Sequence, residues 1–428
     1  MERRAFGSFS KVDGEPAELN MATLQGVWES ISTRGLELLA KRGFGRSAPL
    51  MSICRELLSE RGEASGTALA REVAERYRAA TPKARELFLL GLLDKDFLPD
   101  PRVVTAAAEQ YRLRPDSETL AELVAVAEPR RQELFRRINL APGGTGVVIE
   151  MRTDLLRLLP VHPALQSVDA DIKHLLSSWF NRGFLHLERI DWNTPALVLE
   201  KLIEHEAVHA IDGWADLRRR LAKDRRCFAF FHPALPQEPL IFIEAALTRG
   251  IASSIQTLLD RDAPPMDVRR ADTAVFYSIT NCLEGLRGIS FGNFLIKQVV
   301  TELEAEKLHL RSFVTLSPMP GFRQWCGKPD LTEAALLKLA AQYLLIERKG
   351  DRALDPVAAF HLGNGATVEK IHVGGDRSEK GMAQSFGLMV SYGYRPSQLE
   401  KNHEAYVKQG RIAASSAVRA LLSKLKKR

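Results

Sequence analysis

The chain has 428 residues, of which 45% are hydrophobic and 26% charged. These values are typical of a soluble globular protein, and the length predicts two or three domains. The formal net charge is +7, but the basic residues are dispersed and accompanied by 53 acids; the compact basic cluster lies at residues 424–428. Because no base-stacking or zinc-finger pattern accompanies them, we expect no nucleic acid partner.

The four cysteines are widely separated and form no C-x-x-C pair. They predict neither a disulfide framework nor a cysteine zinc site, and they fit a reducing, cytoplasmic location. Residues 1–20 lack the apolar core of a secretory signal, and no apolar run is long enough to cross a membrane. We therefore expect no membrane partner.

Residues 22–190 are patterned as helix after helix, which predicts an all-helical N-terminal part. Thr81 and Pro82 form an N-cap followed by proline at the first helical position, so we predict a helix over residues 84–93. We expect a break at residues 64–67 and a flexible one at residues 141–146. The other helices predicted in this part span residues 68–79, 103–111, 118–127, 154–159 and 169–180.

The sequence HEAVH at residues 205–209 is a formal match to the zinc motif H-E-x-x-H, on a helix that we predict to start at Thr194. In that motif two histidines one helical turn apart hold zinc while the glutamate activates water. The longer motif H-E-x-x-H-x-x-G-x-x-H supplies a third zinc ligand, but this chain does not match it. Asp212 stands where that motif has its glycine, and Ala215 stands where it has its last histidine. Ordinary polar residues at a helix end are the alternative, and we predict no metal.

From residue 225 the pattern changes to strands. Two apolar runs, residues 227–231 and 240–248, flank a proline-rich connection, which predicts an antiparallel pair. Glu244 interrupts the second run, and we interpret it as an exposed edge residue in preference to a buried acid with a function. Further elements are predicted at residues 331–347 (helix), 388–394 (strand) and 417–425 (helix).

Residues 273–300 combine a strand pattern, a glycine-marked turn that begins at Arg287, and an amphipathic helix pattern. Backbone N–H groups and the positive end of the helix macrodipole favour an anion before such a helix, and glycine lets a phosphate approach the main chain. A turn that only reverses the chain is the alternative. The spacing resembles the Arg/Gln-x-x-Gly-x-Gly/Ala coenzyme A loop of GNAT-fold acyltransferases. This chain departs from that pattern in one place, because Ser290 stands where the pattern has its first glycine.

Two further residues have the chemistry of a catalytic site. Ser317 follows a predicted strand at residues 311–316 and precedes a proline, so its hydroxyl lies at a strand terminus; plain turn chemistry is the alternative. His361 follows a short predicted segment at residues 357–360 and precedes a Gly-Asn-Gly turn. We expect it to be exposed in a cleft, and a structural histidine is the alternative.

Five segments stand out by their order and spacing: the strand pair at residues 225–248, FYSI at 276–279, the loop and helix start at 288–297, LSPMPGF at 316–322, and DPVAAFHL at 355–362. Together they resemble the malonyl-CoA decarboxylase family. The resemblance covers residues 180–394 well and the helical N-terminal part more loosely.

This resemblance implies an α+β fold with two domains. An all-helical N-terminal domain, residues 1–180, would serve oligomer assembly, and a GNAT-like mixed β-sheet domain flanked by helices, residues 181–428, would be catalytic. The resemblance also implies a homotetramer built as a dimer of dimers. The expected substrate is a small-molecule coenzyme A thioester, malonyl-CoA, and no cofactor is expected.

The resemblance implies roles for individual residues. Ser317 would be the catalytic serine and His361 the catalytic histidine, while HEAVH would have no metal role. The loop expected to cradle the coenzyme diphosphate consists of Arg287, Gly288, Ile289, Ser290, Phe291, Gly292 and Asn293. Loss of CO2 from malonyl-CoA leaves an enolate, which needs hydrogen-bond donors and an acid. Our hypothesis is that His361 donates the proton, while Ser317 bonds the departing carboxylate or the thioester oxygen.

Two other functions compete with this one. A GNAT-type acyl-CoA-dependent acyltransferase would share the loop but would need a second site for an acceptor amine. A helical scaffold carrying an inactive coenzyme A-binding module would bind the coenzyme without turnover. Release of CO2 from malonyl-CoA without an added amine distinguishes the decarboxylase from both.

Overall fold

The computed structural model describes residues 49–59, 62–289, 295–327 and 331–423. The chain divides into two compact units, Met1–Ile172 and Lys173–Arg428. The predicted oligomerisation and catalytic domains, residues 1–180 and 181–428, stay predictions. No helix among the described residues is long and apolar enough to cross a membrane.

The described part of the first unit is helical, as predicted. Its helices, the last of which continues into the second unit, are α1 (Leu50–Ser59), α2 (Glu63–Ala79), α3 (Pro82–Gly91), α4 (Pro101–Leu113), α5 (Ser117–Ala127), α6 (Arg130–Leu140), α7 (Gly144–Leu158) and α8 (Gln166–Trp179). The Thr81 side chain accepts a hydrogen bond from the Ala84 N–H at 3.3 Å, which confirms the predicted cap of α3.

One predicted break in this unit is wrong, and another is shorter than predicted. Residues 64–67 lie inside α2, where burial of a long apolar face offsets the roughly 1 kcal/mol that an interior glycine costs. The break predicted at residues 141–146 is present but is a short corner between α6, which ends at Leu140, and α7, which begins at Gly144. A Cβ on Gly144 would lie 1.8 Å from the Ile138 carbonyl oxygen, so glycine is required for the close approach of the chain.

The second unit is built on a mixed β-sheet. Its strands are β1 (His186–Ile190), β2 (Arg225–Phe231), β3 (Ile241–Thr248), β4 (Thr273–Asn281), β5 (Ser312–Thr315), β6 (Ser317–Pro318), β7 (Arg348–Lys349), β8 (Arg352–Ala353), β9 (Thr367–His372) and β10 (Met389–Gly393). Eight of these described strands form one sheet in the order β1-β2-β3-β4-β5-β10-β6, with β9 paired to β10, while β7 and β8 pair separately. The pairing of β4 with β5 is parallel, and the others in the large sheet are antiparallel.

The second unit also contains helices that flank this sheet. They are α9 (Ala196–His205), α10 (Gly213–Arg220), α11 (Ile255–Leu259), α12 (Leu295–Ala305), α13 (Phe322–Cys326), α14 (Glu333–Leu345), α15 (Pro356–Gly363), α16 (Glu379–Ser385), α17 (Pro396–Gln409) and α18 (Ser416–Ser423). A helical N-terminal part followed by a mixed sheet with flanking helices confirms the predicted α+β class. The prediction of helix up to residue 190 is wrong at its end, because β1 pairs there with β2. In this edge strand only Ile190 is fully buried, so it lacks the apolar pattern of a central strand.

Glu244 corrects a second expectation. It lies in β3 between β2 and β4 and is 1% exposed, so the interpretation as an exposed edge residue is wrong. Arg220 of α10 donates a hydrogen bond to its carboxylate at 2.9 Å. Burial nevertheless raises the pKa of Glu244 to about 8.

The sheet opens where β4 and β5 cease to pair. Their parallel register ends at Phe276 and Thr315, and the Leu316 N–H still donates to the Phe276 carbonyl oxygen at 2.9 Å. The next residue, Ser317, instead pairs with Val390 of β10. The gap between β4 and β6 therefore leaves room for a ligand in the middle of the sheet.

Candidate active site

A cavity of about 930 Å³ lies at this opening. Its walls include Phe276 and Ser278 from β4, Ser317 from β6 and His361 from α15. A cavity of this size holds a substantial part of a large ligand, and its polar groups lie among apolar side chains. Two residues predicted from the sequence to be catalytic are thus brought together on one cavity.

Ser317 is held in place by the strand that it begins. It is 6% exposed, and its hydroxyl donates a hydrogen bond to Thr315 Oγ1 at 2.8 Å. Thr315 Oγ1 also accepts a hydrogen bond from the Tyr392 N–H of β10 at 3.1 Å. The neighbouring strands therefore fix the position of the Ser317 hydroxyl at the cavity wall.

His361 lies in the last turn of α15 and not in an exposed turn after it, so the expected exposure is wrong. The helix continues to Gly363 and does not end at residue 360 as predicted. Asp355 caps its start by accepting hydrogen bonds from the N–H groups of Val357 and Ala358 at 3.0 and 2.9 Å. His361 is 3% exposed. Its ring stacks on that of Tyr392, with 4.5 Å between the ring centroids.

Both ring nitrogens of His361 have a hydroxyl partner. Nε2 lies 3.0 Å from Ser317 Oγ, and Nδ1 lies 2.7 Å from the Tyr394 hydroxyl. The Ser317 hydroxyl has one hydrogen, which it gives to Thr315, so the bond between Ser317 and His361 requires a proton on Nε2. The Nδ1 atom then carries no hydrogen and accepts a hydrogen bond from Tyr394.

Burial keeps the His361 ring neutral. It lowers the pKa of His361 to about 3, because the imidazolium would lose its water of hydration in the protein interior. Burial also raises the pKa of the Tyr394 phenol well above 10, so that group keeps its proton and remains a donor. The site presents a neutral imidazole with its Nε2 proton facing Ser317.

The predicted diphosphate loop is described in part. Arg287, Gly288 and Ile289 follow a short 3-10 turn after β4, and the last two line the cavity. Gly288 has φ of +76°, a left-handed conformation that favours glycine. The other predicted members, Ser290, Phe291, Gly292 and Asn293, lie outside the described residues.

Sequence reasoning missed three residues of this site. Lys173 lines the same cavity, and its Nζ lies 3.8 Å from the position that a Cβ on Gly288 would take. Lysines are common on helix surfaces, so nothing in the local sequence marks this one. Tyr394 and Thr315 stand in predicted strands, where a tyrosine or threonine is ordinary. Only the fold reveals that Tyr394 contacts His361 and that Thr315 contacts Ser317.

The HEAVH segment has no zinc-site geometry. Helix α9 ends at His205, and Glu206 turns the chain by accepting hydrogen bonds from the N–H groups of Val208 and His209, both at 2.7 Å. The two histidines therefore do not share a helix face, as the motif requires. Among the described residues, no group of three or more His, Cys, Asp or Glu side chains is arranged to hold a metal ion.

Comparisons with known proteins agree with the resemblance carried by the motifs. A family model for the malonyl-CoA decarboxylase C-terminal domain matches residues 183–335 and 328–428, and a model for the N-terminal domain of that family matches residues 97–180. The chain is 34% identical over 417 residues to "Malonyl-CoA decarboxylase, mitochondrial" of Anser anser anser, covering 82% of each chain. The chain belongs to the malonyl-CoA decarboxylase family.

Solved structures of malonyl-CoA decarboxylases share the fold. The enzyme from Rhodopseudomonas palustris is 48% identical, with a TM-score of 0.82 over 87% of this chain and 98% of that one. The enzyme from Agrobacterium vitis is also 48% identical, with a TM-score of 0.82 over 88% and 100% of the two chains. The predicted family, and with it the enzyme class of a carbon–carbon lyase, is confirmed.

Proposed function

We propose that this chain converts malonyl-CoA to acetyl-CoA and CO2, with Ser317 and His361 acting directly on the acyl group. The observation that carries the assignment of residues is the buried hydrogen bond between Ser317 and His361 on the cavity wall. Family membership supports the reaction itself. The roles of the two side chains rest on their geometry and on the chemistry that the reaction demands.

Decarboxylation moves charge from the carboxylate to the thioester. As the C–C bond breaks, its electron pair stays on the acyl carbon and CO2 leaves, so an enolate forms on the thioester. Hydrogen-bond donors placed where this charge develops stabilise the transition state. Once it turns from Thr315, the Ser317 hydroxyl is such a donor when it bonds the thioester oxygen. Bonded to the departing carboxylate, it would instead hold the scissile C–C bond out of the carbonyl plane.

His361 completes the reaction by protonating the enolate carbon. A neutral imidazole is a weak acid, but a thioester enolate is a base strong enough to take its Nε2 proton. Tyr394 remains hydrogen-bonded to Nδ1 and stabilises the negative charge that develops on the ring during the transfer. The imidazole then regains a proton from solvent, so each turnover consumes one proton and requires no redox step.

The coenzyme handle would lie along the loop that begins at Arg287. The backbone N–H group of Gly288 and the ammonium of Lys173 would bind the diphosphate, because both residues line the cavity that contains Ser317 and His361. No described residue forms a hydrogen bond or ion pair with the Lys173 ammonium, so it is available to a phosphate. The remaining loop residues, 290–293, keep their predicted role.

The other expectations also belong to this proposal. We propose no cofactor or metal, a coenzyme A thioester as the sole small-molecule partner, no nucleic acid or membrane partner, a cytoplasmic location, and a homotetramer built as a dimer of dimers. Light scattering on the purified protein tests the tetramer, metal analysis tests for stoichiometric zinc, and cell fractionation tests the location.

Turnover of malonyl-CoA by the purified protein is the direct test. We expect stoichiometric acetyl-CoA and CO2 without an added amine. Ser317→Ala and His361→Ala should each lower kcat by roughly 10²- to 10³-fold while the protein still binds coenzyme A. Strict dependence on an amine would favour the acyltransferase instead, and binding without turnover of any acyl thioester would favour the inactive module.

A further inference from the structure

The turn formed by HEAVH borders the cavity that contains Ser317 and His361. Val208 lines the cavity together with Ser278, Ser317 and His361. The parallel register of β4 and β5 pairs Phe276 with Thr315. Beyond this last pair the two strands separate, and Ser278 and Ser317 both line the cavity there.

A buried carboxylate connects Ser278 to the backbone of Val208. Glu206 is 6% exposed and accepts hydrogen bonds from Ser278 Oγ at 2.7 Å and Thr280 Oγ1 at 3.2 Å. Its other oxygen accepts the N–H groups of Val208 and His209. A single side chain therefore ties the turn to β4 through four hydrogen bonds.

The carbonyl groups of the same turn are also held. Lys380 Nζ donates to the carbonyl oxygens of Ala207 and Val208 at 2.8 and 3.1 Å. Arg220 Nη2 donates to the carbonyl oxygen of His209 at 2.8 Å. Hydrogen bonds from other elements thus hold the carbonyl groups of the turn, and Glu206 holds its N–H groups. The turn is therefore rigid and does not move aside easily when a larger acyl group enters the cavity.

We propose that Val208 is a specificity-determining residue that limits branching at the acyl carbon next to the carboxylate, and that Glu206 positions it. This inference rests on the proposed function and narrows its substrate class to thioesters with an unbranched malonyl group. A methyl group added to that carbon, as in methylmalonyl-CoA, would meet the Val208 side chain. A single methylene in a rigid apolar pocket changes selectivity by roughly 10- to 200-fold.

The test compares Val208→Ala with Val407→Ala. Val407 lines the same cavity from α17 and is largely exposed, so its variant controls for a valine-to-alanine change on the cavity wall outside the turn. We expect the wild type to prefer malonyl-CoA over methylmalonyl-CoA by at least about tenfold in kcat/KM. Val208→Ala should reduce this preference by about tenfold, and Val407→Ala should leave it within about twofold.

A second measurement does not depend on turnover. Calorimetry gives the ratio of the Kd values for propionyl-CoA and acetyl-CoA, which differ by the same methyl group, and Val208→Ala should lower this ratio. If wild-type protein released no CO2 from malonyl-CoA, the proposed function would fail while this ratio still tested Val208. A Val208→Ala protein with selectivity no different from that of Val407→Ala in either measurement would overturn the proposal.

Glu206 is tested by rescue. Glu206→Ala releases the turn and should shift selectivity in the same direction as Val208→Ala. Glu206→Gln should restore most of the wild-type selectivity, because the hydroxyls of Ser278 and Thr280 can accept hydrogen bonds from the amide. A folded Glu206→Ala protein with wild-type selectivity would show that Glu206 does not position Val208.

Discussion

The hydrogen bond from Tyr394 to His361 provides a sharp test of the proposed chemistry. Tyr394→Phe removes only the hydroxyl that lies 2.7 Å from Nδ1 and keeps the ring, which is buried with 2% exposure. The Nδ1 atom would then be a buried acceptor without a partner. Leaving such an atom unpaired costs about 1–3 kcal/mol.

Because this hydrogen bond strengthens as negative charge develops on the His361 ring, we expect a loss of similar size in the rate of the chemical step. At about 1.36 kcal/mol for each factor of ten, kcat should fall by roughly 5- to 150-fold. Tyr394 is not among the described residues that line the cavity, so it acts on the substrate only through His361. KM for malonyl-CoA should therefore stay within about twofold of the wild-type value.

Tyr392 offers a matched control. It is also fully buried and stacks on His361, but its hydroxyl has no hydrogen-bond partner among the described residues. Tyr392→Phe keeps the stacked ring and should leave kcat within about twofold, with an unchanged or higher Tm, since it removes an unsatisfied buried group. Acetyl-CoA formation measured for both variants decides the matter. Equal losses in the two, or near wild-type turnover by Tyr394→Phe, would refute the role of the Nδ1 hydrogen bond.

Three other predictions concern binding and stability. Lys173→Gln should raise KM for malonyl-CoA by about tenfold, as expected for loss of a charged hydrogen bond, and should leave turnover of malonyl-pantetheine unchanged; kinetics with both substrates check this. Gly144→Ala should lower the free energy of unfolding by about 2–3 kcal/mol, because its Cβ would meet a carbonyl oxygen at 1.8 Å. Gly66→Ala should instead raise the free energy of unfolding by up to about 1 kcal/mol, because a Cβ there has nothing within 4 Å. Urea titration of both variants measures the two changes. Burial lowers the pKa of His209 and of His372 from 6.5 to about 4, so the unfolded chain binds more protons than the folded one between these values. The free energy of unfolding should therefore be highest above pH 6.5 and fall as the pH drops towards 4, by up to about 1.4 kcal/mol per pH unit for each histidine. Replacing either histidine with Asn should reduce this pH dependence, as measured by urea unfolding at several pH values across the range.

Features fixed by neighbouring residues along the chain could be predicted from the sequence. The cap of α3 at Thr81 and the antiparallel pair β2 and β3 follow from contacts between residues close in sequence. The change from β4 to α12 follows from a change of apolar period. In each case the physical cause lies within a few residues, so a local pattern carries the information.

Features set by distant partners could not be predicted in this way. The local pattern of α9 does not reveal that the chain turns at Glu206, because the turn is stabilised by Ser278 and Thr280 from β4. Likewise, an acid in an apolar run suggests an exposed edge until Arg220 is found beside Glu244. Both carboxylates lie inside the protein because another element of the fold supplies their hydrogen-bond donors.

The same reasoning explains why Ser317 and His361 were predicted from family motifs while Tyr394 was not. Tyr392 and Tyr394 occupy alternate positions of one strand segment, so both side chains point to the same face and both meet His361. Their sequence context does not distinguish them. The difference arises from the register of β10, in which Val390 pairs with Ser317 and Gly393 with Val314. This register aligns the Tyr394 hydroxyl with His361 Nδ1 and leaves the Tyr392 hydroxyl without a hydrogen-bond partner among the described residues. Register is set by long-range pairing, so the sheet, and not the neighbours in sequence, determines which tyrosine forms a hydrogen bond with His361.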